Sequence, residues 1–103
     1  VELNRRRRVS QSTMTQFRDN TAAHRYELDA PEGLSIADYR DRDGARQILH
    51  VETVEEARGK GYAAKLMDQI VADARAANTK IVPRCSYAVA YFRRHADAQD
   101  VLA

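Results

Sequence analysis

The 103-residue sequence predicts one mixed α+β domain, and three observations support this prediction. Short segments of alternating apolar and polar residues, typical of strands, are separated by glycine-containing turns. One longer segment repeats its apolar residues at helical spacing. A short apolar segment follows that helix, and strands joined through a helix lie parallel with a right-handed crossover. We therefore expect an antiparallel meander, a strand–helix–strand unit and a C-terminal helix, with about four strands and a tendency to three α/β/α layers.

The first part of the chain is polar and basic. The run Arg5–Arg8 contributes four of the 17 lysines and arginines in the sequence, which also contains 15 acidic residues. Such a composition buries little apolar surface. We predict a flexible basic N-terminal tail over residues 1–16 and a single domain over residues 17–103.

Charge and composition exclude several function classes. Four arginines hold phosphates without specificity, but the charge of the remaining chain is nearly balanced, so we expect no specific nucleic-acid partner. No apolar run is long enough to cross a bilayer. The single cysteine, Cys85, excludes an internal disulfide and a thiolate-rich zinc site. We expect a cytoplasmic monomer without a metal or a membrane partner.

Three strands of the meander are predicted at residues 23–28, 34–39 and 46–54. The Asp43-Gly44 pair supplies the positive φ angles of a hairpin turn between the second and third. Strict alternation along the third strand puts Ile48, His50, Glu52 and Val54 on one face. The face expected under a helix then carries Leu49, Val51 and Thr53.

The long helix is predicted from the glycine-containing loop to about Ala77, with Asn78 as a left-handed end. Its apolar stripe comprises Ala63, Leu66, Met67, Ile70, Val71 and Ala74. A short buried strand at residues 80–82 ends at Pro83, because proline interrupts strand pairing. A last helix is predicted at residues 87–95.

The loop before the long helix carries the most distinctive chemistry. Gly59 and Gly61 allow a sharp turn and a close approach of backbone to a ligand. The first N–H groups of a helix have no internal partners, and the helix dipole adds positive charge there, so the loop suits a pyrophosphate. The spacing matches neither a Walker loop nor a dinucleotide-binding G-x-G-x-x-G. A glycine-rich turn that only starts a helix is the alternative.

The sequence Arg58-x-x-Gly61-x-Ala63 resembles the R/Q-x-x-G-x-G/A signature of the GNAT N-acetyltransferase superfamily. The blocks Leu49-His50 and 80–87, with their spacing from the loop, resemble the short single-domain YjdJ-like branch of that superfamily. The resemblance implies a GNAT-like fold, an acetyl-CoA (coenzyme A) cofactor and an acyltransferase activity. It also implies that the strands on either side of the helix splay apart and that the pantetheine arm pairs with strand backbone in the opening. The cofactor-binding residues that it implies are Arg58, Gly59, Lys60, Gly61, Tyr62 and Ala63.

Four side chains are candidate catalytic residues. His50 and Glu52 are candidate bases for an amine acceptor, although a core histidine and a solvated carboxylate would explain them equally. Cys85 resembles the cysteine of a P-x-C-S-Y block, where it would accept an acetyl group, protonate the leaving thiolate or only lie near the cofactor. Tyr91 resembles the last-helix tyrosine of many GNAT enzymes. Tyr87 competes for that role, and core packing is the alternative for Tyr91.

The leading hypothesis is an acetyl-CoA-dependent N-acetyltransferase that acts on an amine of a small molecule or peptide. Compared with ordinary GNAT enzymes, which it resembles, the sequence is short, so we expect the early helices that shape their acceptor pocket to be largely missing. A coenzyme A-binding module with little or no catalysis is therefore the second hypothesis.

Overall fold

The computed structural model describes residues 15–103, so the Arg5–Arg8 run and most of the predicted tail lie outside the described residues. Two helices and five strands form the domain in this range: β1 Gln16–Asn20, β2 Arg25–Ala30, β3 Gly33–Arg42, β4 Ala45–Thr53, α1 Tyr62–Ala77, β5 Lys80–Pro83 and α2 Ser86–Arg94. Short 3₁₀ helices lie at Thr21–Ala23, Glu55–Ala57 and Ala96–Val101.

The five strands form one sheet in the order β1-β2-β3-β4-β5. β1 to β4 pair antiparallel, and β5 runs parallel to β4 after the α1 crossover. The predicted meander, the strand–helix–strand unit and the C-terminal helix are therefore confirmed. Asp43 and Gly44 have φ angles of 55° and 78°, the positive values expected of the hairpin turn.

Strand β1 was not predicted from the sequence. It begins at Gln16, one residue before the predicted start of the domain. Its five residues include one large apolar side chain, Phe17, so no alternating pattern marks it. Polar contacts hold it instead: Arg18 donates to Glu27 over 2.6 Å, and Tyr39 donates to Asp19 over 2.6 Å.

Strand β4 contains a β-bulge at Leu49. Tyr39 of β3 pairs with Ile48, whereas Asp38, its neighbour, pairs with His50. The extra residue reverses the alternation of side chains, so Ile48 is fully buried against the helices instead of lying beside His50. The face predicted for Ile48 is wrong for this reason. Leu49 is 37% exposed instead of packing under a helix.

Beyond the bulge, the two faces of β4 are as predicted. Val51 packs against the core, and the Thr53 hydroxyl lies 2.8 Å from that of buried Ser35. His50 and Glu52 are both exposed on the opposite face. The bulge thus leaves the predicted imidazole and carboxylate side by side on the side of the sheet away from the helices.

One core joins both helices to the same face of the sheet. Four of the six stripe residues predicted in α1, Leu66, Met67, Ile70 and Ala74, are completely buried. Tyr91 and Phe92 of α2 belong to the same core cluster. The described residues therefore form two layers, and the predicted tendency to three layers is wrong for this part of the chain. No helix in residues 15–103 combines the length and apolar character needed to cross a bilayer.

Candidate cofactor-binding and active site

The loop that leads into α1 is built around two glycines with positive φ. Gly59 and Gly61 both have φ of 80°, and Gly61 is the residue immediately before the helix. A side chain at either position would meet nothing within 4 Å. The glycines therefore serve the left-handed backbone conformation and leave the space in front of the loop open.

Six consecutive amides of this loop, in residues 59–64, have no hydrogen-bond partner among residues 15–103. The preceding amide, that of Arg58, donates to the Glu55 carbonyl, and the first helical bond runs from Lys65 N to Gly61 O over 3.1 Å. No side chain caps the helix, and its first turn contains no acidic residue. The positive end of a 16-residue helix therefore faces an open space.

A cleft of about 190 Å³ lies in front of these amides. Its lining comes from the end of β4, the loop, the start of α1 and the start of α2: Thr53, Ala57, Arg58, Gly59, Gly61, Tyr62, Ala63, Ala64 and Tyr87. The Arg58 guanidinium donates to the Thr53 carbonyl over 2.9 Å, which fixes its position at the mouth. Five of the six predicted cofactor-binding residues line this cleft, and Lys60 lies between them in the chain.

β4 and β5 separate beside the cleft. Their pairing ends at Ile48 and Pro83, and the last bond across it is from Arg84 N to Ile48 O, at 2.9 Å. β4 continues to Thr53, and Val54 N donates to Leu34 O of β3. Because backbone groups alternate sides along a strand, Val51 and Thr53 direct theirs toward the side from which β5 has departed. Beyond Ile48 this edge of β4 has no strand partner among residues 15–103, whereas residues 80–82 of β5 pair with β4 along their whole length.

His50 and Glu52 form a hydrogen-bonded pair. His50 Nε2 lies 3.0 Å from Glu52 Oε1, and both side chains are 55% exposed. A carboxylate accepts, so Nε2 is the donor of this contact, and in a neutral imidazole the lone pair is then on Nδ1. This exposure excludes the core-histidine alternative for His50. The pair lies on the sheet face away from the helices, in the part of β4 that pairs with β3 but not with β5.

Cys85 is the residue immediately before α2. Its sulfur accepts a hydrogen bond from Ala88 N at 3.4 Å, and the residue is half-buried against the core. Cys85 follows Pro83 by two residues, as His50 follows Ile48 on the other strand. The thiol and the imidazole therefore both come just after the point where the two strands separate.

The structure separates Tyr91 from the other candidates. The Tyr91 hydroxyl donates to Asp68 over 2.5 Å, and its ring stacks on His95 in a different cleft. Burial, with the Asp68 hydrogen bond second, raises the pKa of Tyr91 well above its ordinary value. Tyr87 lines the cleft in front of the residue 59–64 amides instead and is 36% exposed. Of the two tyrosines, Tyr87 is the one beside the loop.

A family model described as GCN5-related N-acetyltransferase matches residues 25–101. The chain belongs to the GCN5-related N-acetyltransferase family. The NMR structure of a GCN5-like candidate N-acetyltransferase from Staphylococcus aureus is similar, with 25% identity and a TM-score of 0.66 over 89% of each chain. No curated protein matches the sequence. The predicted superfamily and fold are confirmed, and the branch stays a prediction.

Sequence reasoning missed two contacts that shape this GCN5-related N-acetyltransferase. Glu32, in the turn between β2 and β3, accepts from the Tyr62 hydroxyl at 2.6 Å. Asp68 accepts from the Tyr91 hydroxyl in the other cleft. Partners separated by 30 and 23 residues leave no local pattern, so no signal in the sequence identified either contact.

Proposed function

We propose that the chain is an acetyl-CoA-dependent N-acetyltransferase whose loop at residues 58–63 holds the pyrophosphate of coenzyme A. The observation that carries this proposal is the row of free amides at the start of α1. Membership of the family supports it as well. The acceptor is an amine of a small molecule or peptide.

The described residues fit this cofactor in two ways. The amides of residues 59–64 and the positive helix end match a diphosphate, and Arg58 and Lys60 add positive charge. The backbone groups of Val51 and Thr53 border the opening and match the amide groups of a pantetheine arm. An arm that runs from the loop along β4 would bring its thioester end toward Leu49 and Cys85.

Amide formation requires three events near that end. The amine loses a proton, the acetyl carbon exchanges its bond to sulfur for a bond to nitrogen, and the departing thiolate gains a proton. Acetyl-CoA would supply the activated thioester, and free coenzyme A would leave as the thiol. His50, through Nδ1, is suited to take the amine proton, because Glu52 engages its other nitrogen. The backbone N–H groups around the bulge are suited to stabilise the oxyanion.

Cys85 and Tyr87 are the side chains suited to return a proton to the thiolate. Both lie at the start of α2, and Tyr87 lines the cleft. Direct transfer from thioester to amine needs no bond to Cys85. We therefore propose Cys85 as a residue near the thioester, and Tyr91 as a structural residue.

Titration of acetyl-CoA into the ¹⁵N-labelled protein tests the binding proposal. We expect the largest amide shifts at residues 58–63 and near Cys85, at up to millimolar ligand. A loop whose amides do not respond to the ligand would overturn the proposal. The Asp43-Gly44 turn at the far end of β4 serves as the internal control and is expected to stay unshifted.

The alternative is a coenzyme A-binding module without catalysis. One observation favours it: among residues 15–103, no helix covers the sheet face that carries His50 and Glu52, so the described part of the chain offers no enclosed acceptor pocket. Release of free thiol from acetyl-CoA with a panel of amines separates the two. If the chain is a catalyst, the rate of thiol release should exceed the uncatalysed rate. That rate should fall in H50A, E52A or C85S. An uncatalysed rate together with intact binding would favour the module.

A further inference from the structure

The turn between β2 and β3, at residues 31–32, and Gly33 at the start of β3 lie against the segment that enters the phosphate loop, by which we mean residues 58–63. Gly33 has φ of 146°, and a Cβ there would lie 2.3 Å from Val54 Cγ2 and 3.9 Å from Ala57 Cβ. Val54 N also donates to Leu34 O at 3.0 Å. Only glycine permits this contact, so the turn is fixed beside the loop.

Glu32 occupies that turn and reaches the first residue of α1. Its Oε1 accepts from the Tyr62 hydroxyl at 2.6 Å; Glu32 is exposed, and Tyr62 is half-buried against the core. The Tyr62 hydrogen bond, with Lys60 as a weaker influence, lowers the pKa of Glu32. Glu32 therefore carries a full negative charge at neutral pH.

This carboxylate lies beside a loop whose amides favour anions, and the other acids near the loop are Glu55 and Glu56, in the 3₁₀ helix that precedes it. The loop amides, the helix end, Arg58 and Lys60 all attract negative charge, and the first turn of α1 contains no acid. Glu32 lies one tyrosine side chain away from those amides. Charges at such separations interact across water with little screening when the ionic strength is low.

We propose that Glu32 lowers the affinity of the loop at residues 58–63 for anions. Held in place by Tyr62, its charge weakens the binding of any anion at the loop, so that small free anions bind poorly. A diphosphate ester then needs its further contacts along β4 to bind well. This inference rests on the proposed function, because it assumes that the loop receives a diphosphate.

The test compares inorganic diphosphate and coenzyme A binding in the unaltered chain and in E32Q, which keeps an acceptor for Tyr62 without the charge. At about 10 mM salt we expect roughly two- to fivefold tighter binding of both ligands in E32Q. Near 1 M salt the difference should disappear. D43N removes an exposed carboxylate at the far end of β4 and is expected to change neither affinity.

A second variant, Y62F, releases the carboxylate but keeps its charge. We expect it to gain less affinity than E32Q, and the double variant to gain nothing beyond E32Q, because both changes act through one contact. Diphosphate binding in E32Q that is unchanged or weaker overturns the role of Glu32. Absence of coenzyme A binding in every variant, with the diphosphate difference intact, overturns the proposed function instead.

Discussion

Gly61 is the residue on which the direction of the loop amides depends. Its φ of 80° is a left-handed value that costs other residues about 1 kcal/mol or more. An alanine would shift the backbone toward negative φ and turn the neighbouring N–H groups away from the cleft. The conformation of one residue therefore controls the orientation of a whole row of donors.

We predict that G61A loses about 1 kcal/mol of unfolding free energy and about tenfold in coenzyme A affinity. Gly44 has nearly the same φ, 78°, and equal free space around it, so G44A is the matched control. Urea unfolding should show similar losses in both variants, and calorimetry should show weaker binding in G61A alone. Equal affinity losses in the two would contradict the assignment.

The two tyrosines of α2 provide a second prediction at this scale. Y91F removes the hydrogen bond to Asp68 and should cost about 1 kcal/mol of unfolding free energy without slowing acetyl transfer. Y87F should leave stability nearly unchanged and lower the transfer rate, because Tyr87 lines the cleft. Thermal unfolding and thiol release measure the two effects. A slower reaction in Y91F with Y87F unaffected would reverse the assignment.

At the residue scale, the sequence was sufficient where the chemistry is local. The loop residues follow one another in the chain, so the spacing of Arg58, Gly61 and Ala63 predicts both the turn and its position before a helix. Glu32 and Asp68 act through contacts across the fold. Their pairing depends on how a turn and a helix are packed, which residue types alone do not determine.

The first two strands are joined by a buried carboxylate. Glu27 is 3% exposed and accepts from Arg18, Arg25 and Asn20 at 2.6, 2.6 and 3.0 Å. These donors, Arg25 first and Asn20 next, lower the pKa of Glu27 to about 2. The contacts of this one side chain attach β1 to the sheet, which explains how a strand with little apolar content is held.

We predict that E27Q loses about 2 kcal/mol of unfolding free energy at pH 7. A folded pKa below the ordinary 4.5 stabilises the ionised protein, so the difference from wild type should be full above pH 4.5 and shrink as pH falls toward about 2. Urea unfolding across this range measures it. D29N, which removes a half-exposed partner of Arg18, should cost under 1 kcal/mol. If the difference in unfolding free energy between E27Q and wild type did not depend on pH, the charge of Glu27 would not be its cause.

At the element scale, the helices and turns were predictable and two features of the strands were not. Helical periodicity and Asn78, with φ of 58°, define α1. The bulge at Leu49 is invisible in the sequence, because an inserted residue is recognised only against the partner strand. β1 was not predicted for a related reason, since its stability comes from contacts with Glu27 and from the hydrogen-bond ladder with β2.

Across the whole molecule, the site depends on residues from the β2–β3 turn to the start of α2. Each described strand is adjacent in the sheet to the next one in the chain, and only the β4–β5 pair is joined through a helix. The third layer that the sequence analysis predicts is not formed by residues 15–103, because both helices share one core. Layer number depends on which helices are present, and the motif at the loop carries no information on that.

A chain that begins at residue 15 should keep the fold and the coenzyme A affinity of the full chain within about twofold, since the proposed site uses residues 32–87. Amide spectra and calorimetry of the two forms measure this. If the full chain slows the migration of DNA in a gel at physiological salt, the shortened form should not, because the arginine run is the expected source of unspecific phosphate contacts. A large affinity loss would show that the first 14 residues contribute to the site.

The position of Cys85 has a practical consequence. It is the sole thiol in the sequence, and this half-buried residue lies two residues after the end of the β4–β5 pairing. A maleimide dye or a nitroxide would therefore attach at one defined point beside the proposed groove, with no background from other sulfhydryls. The native sequence therefore allows site-specific labelling for spectroscopy without any substitution.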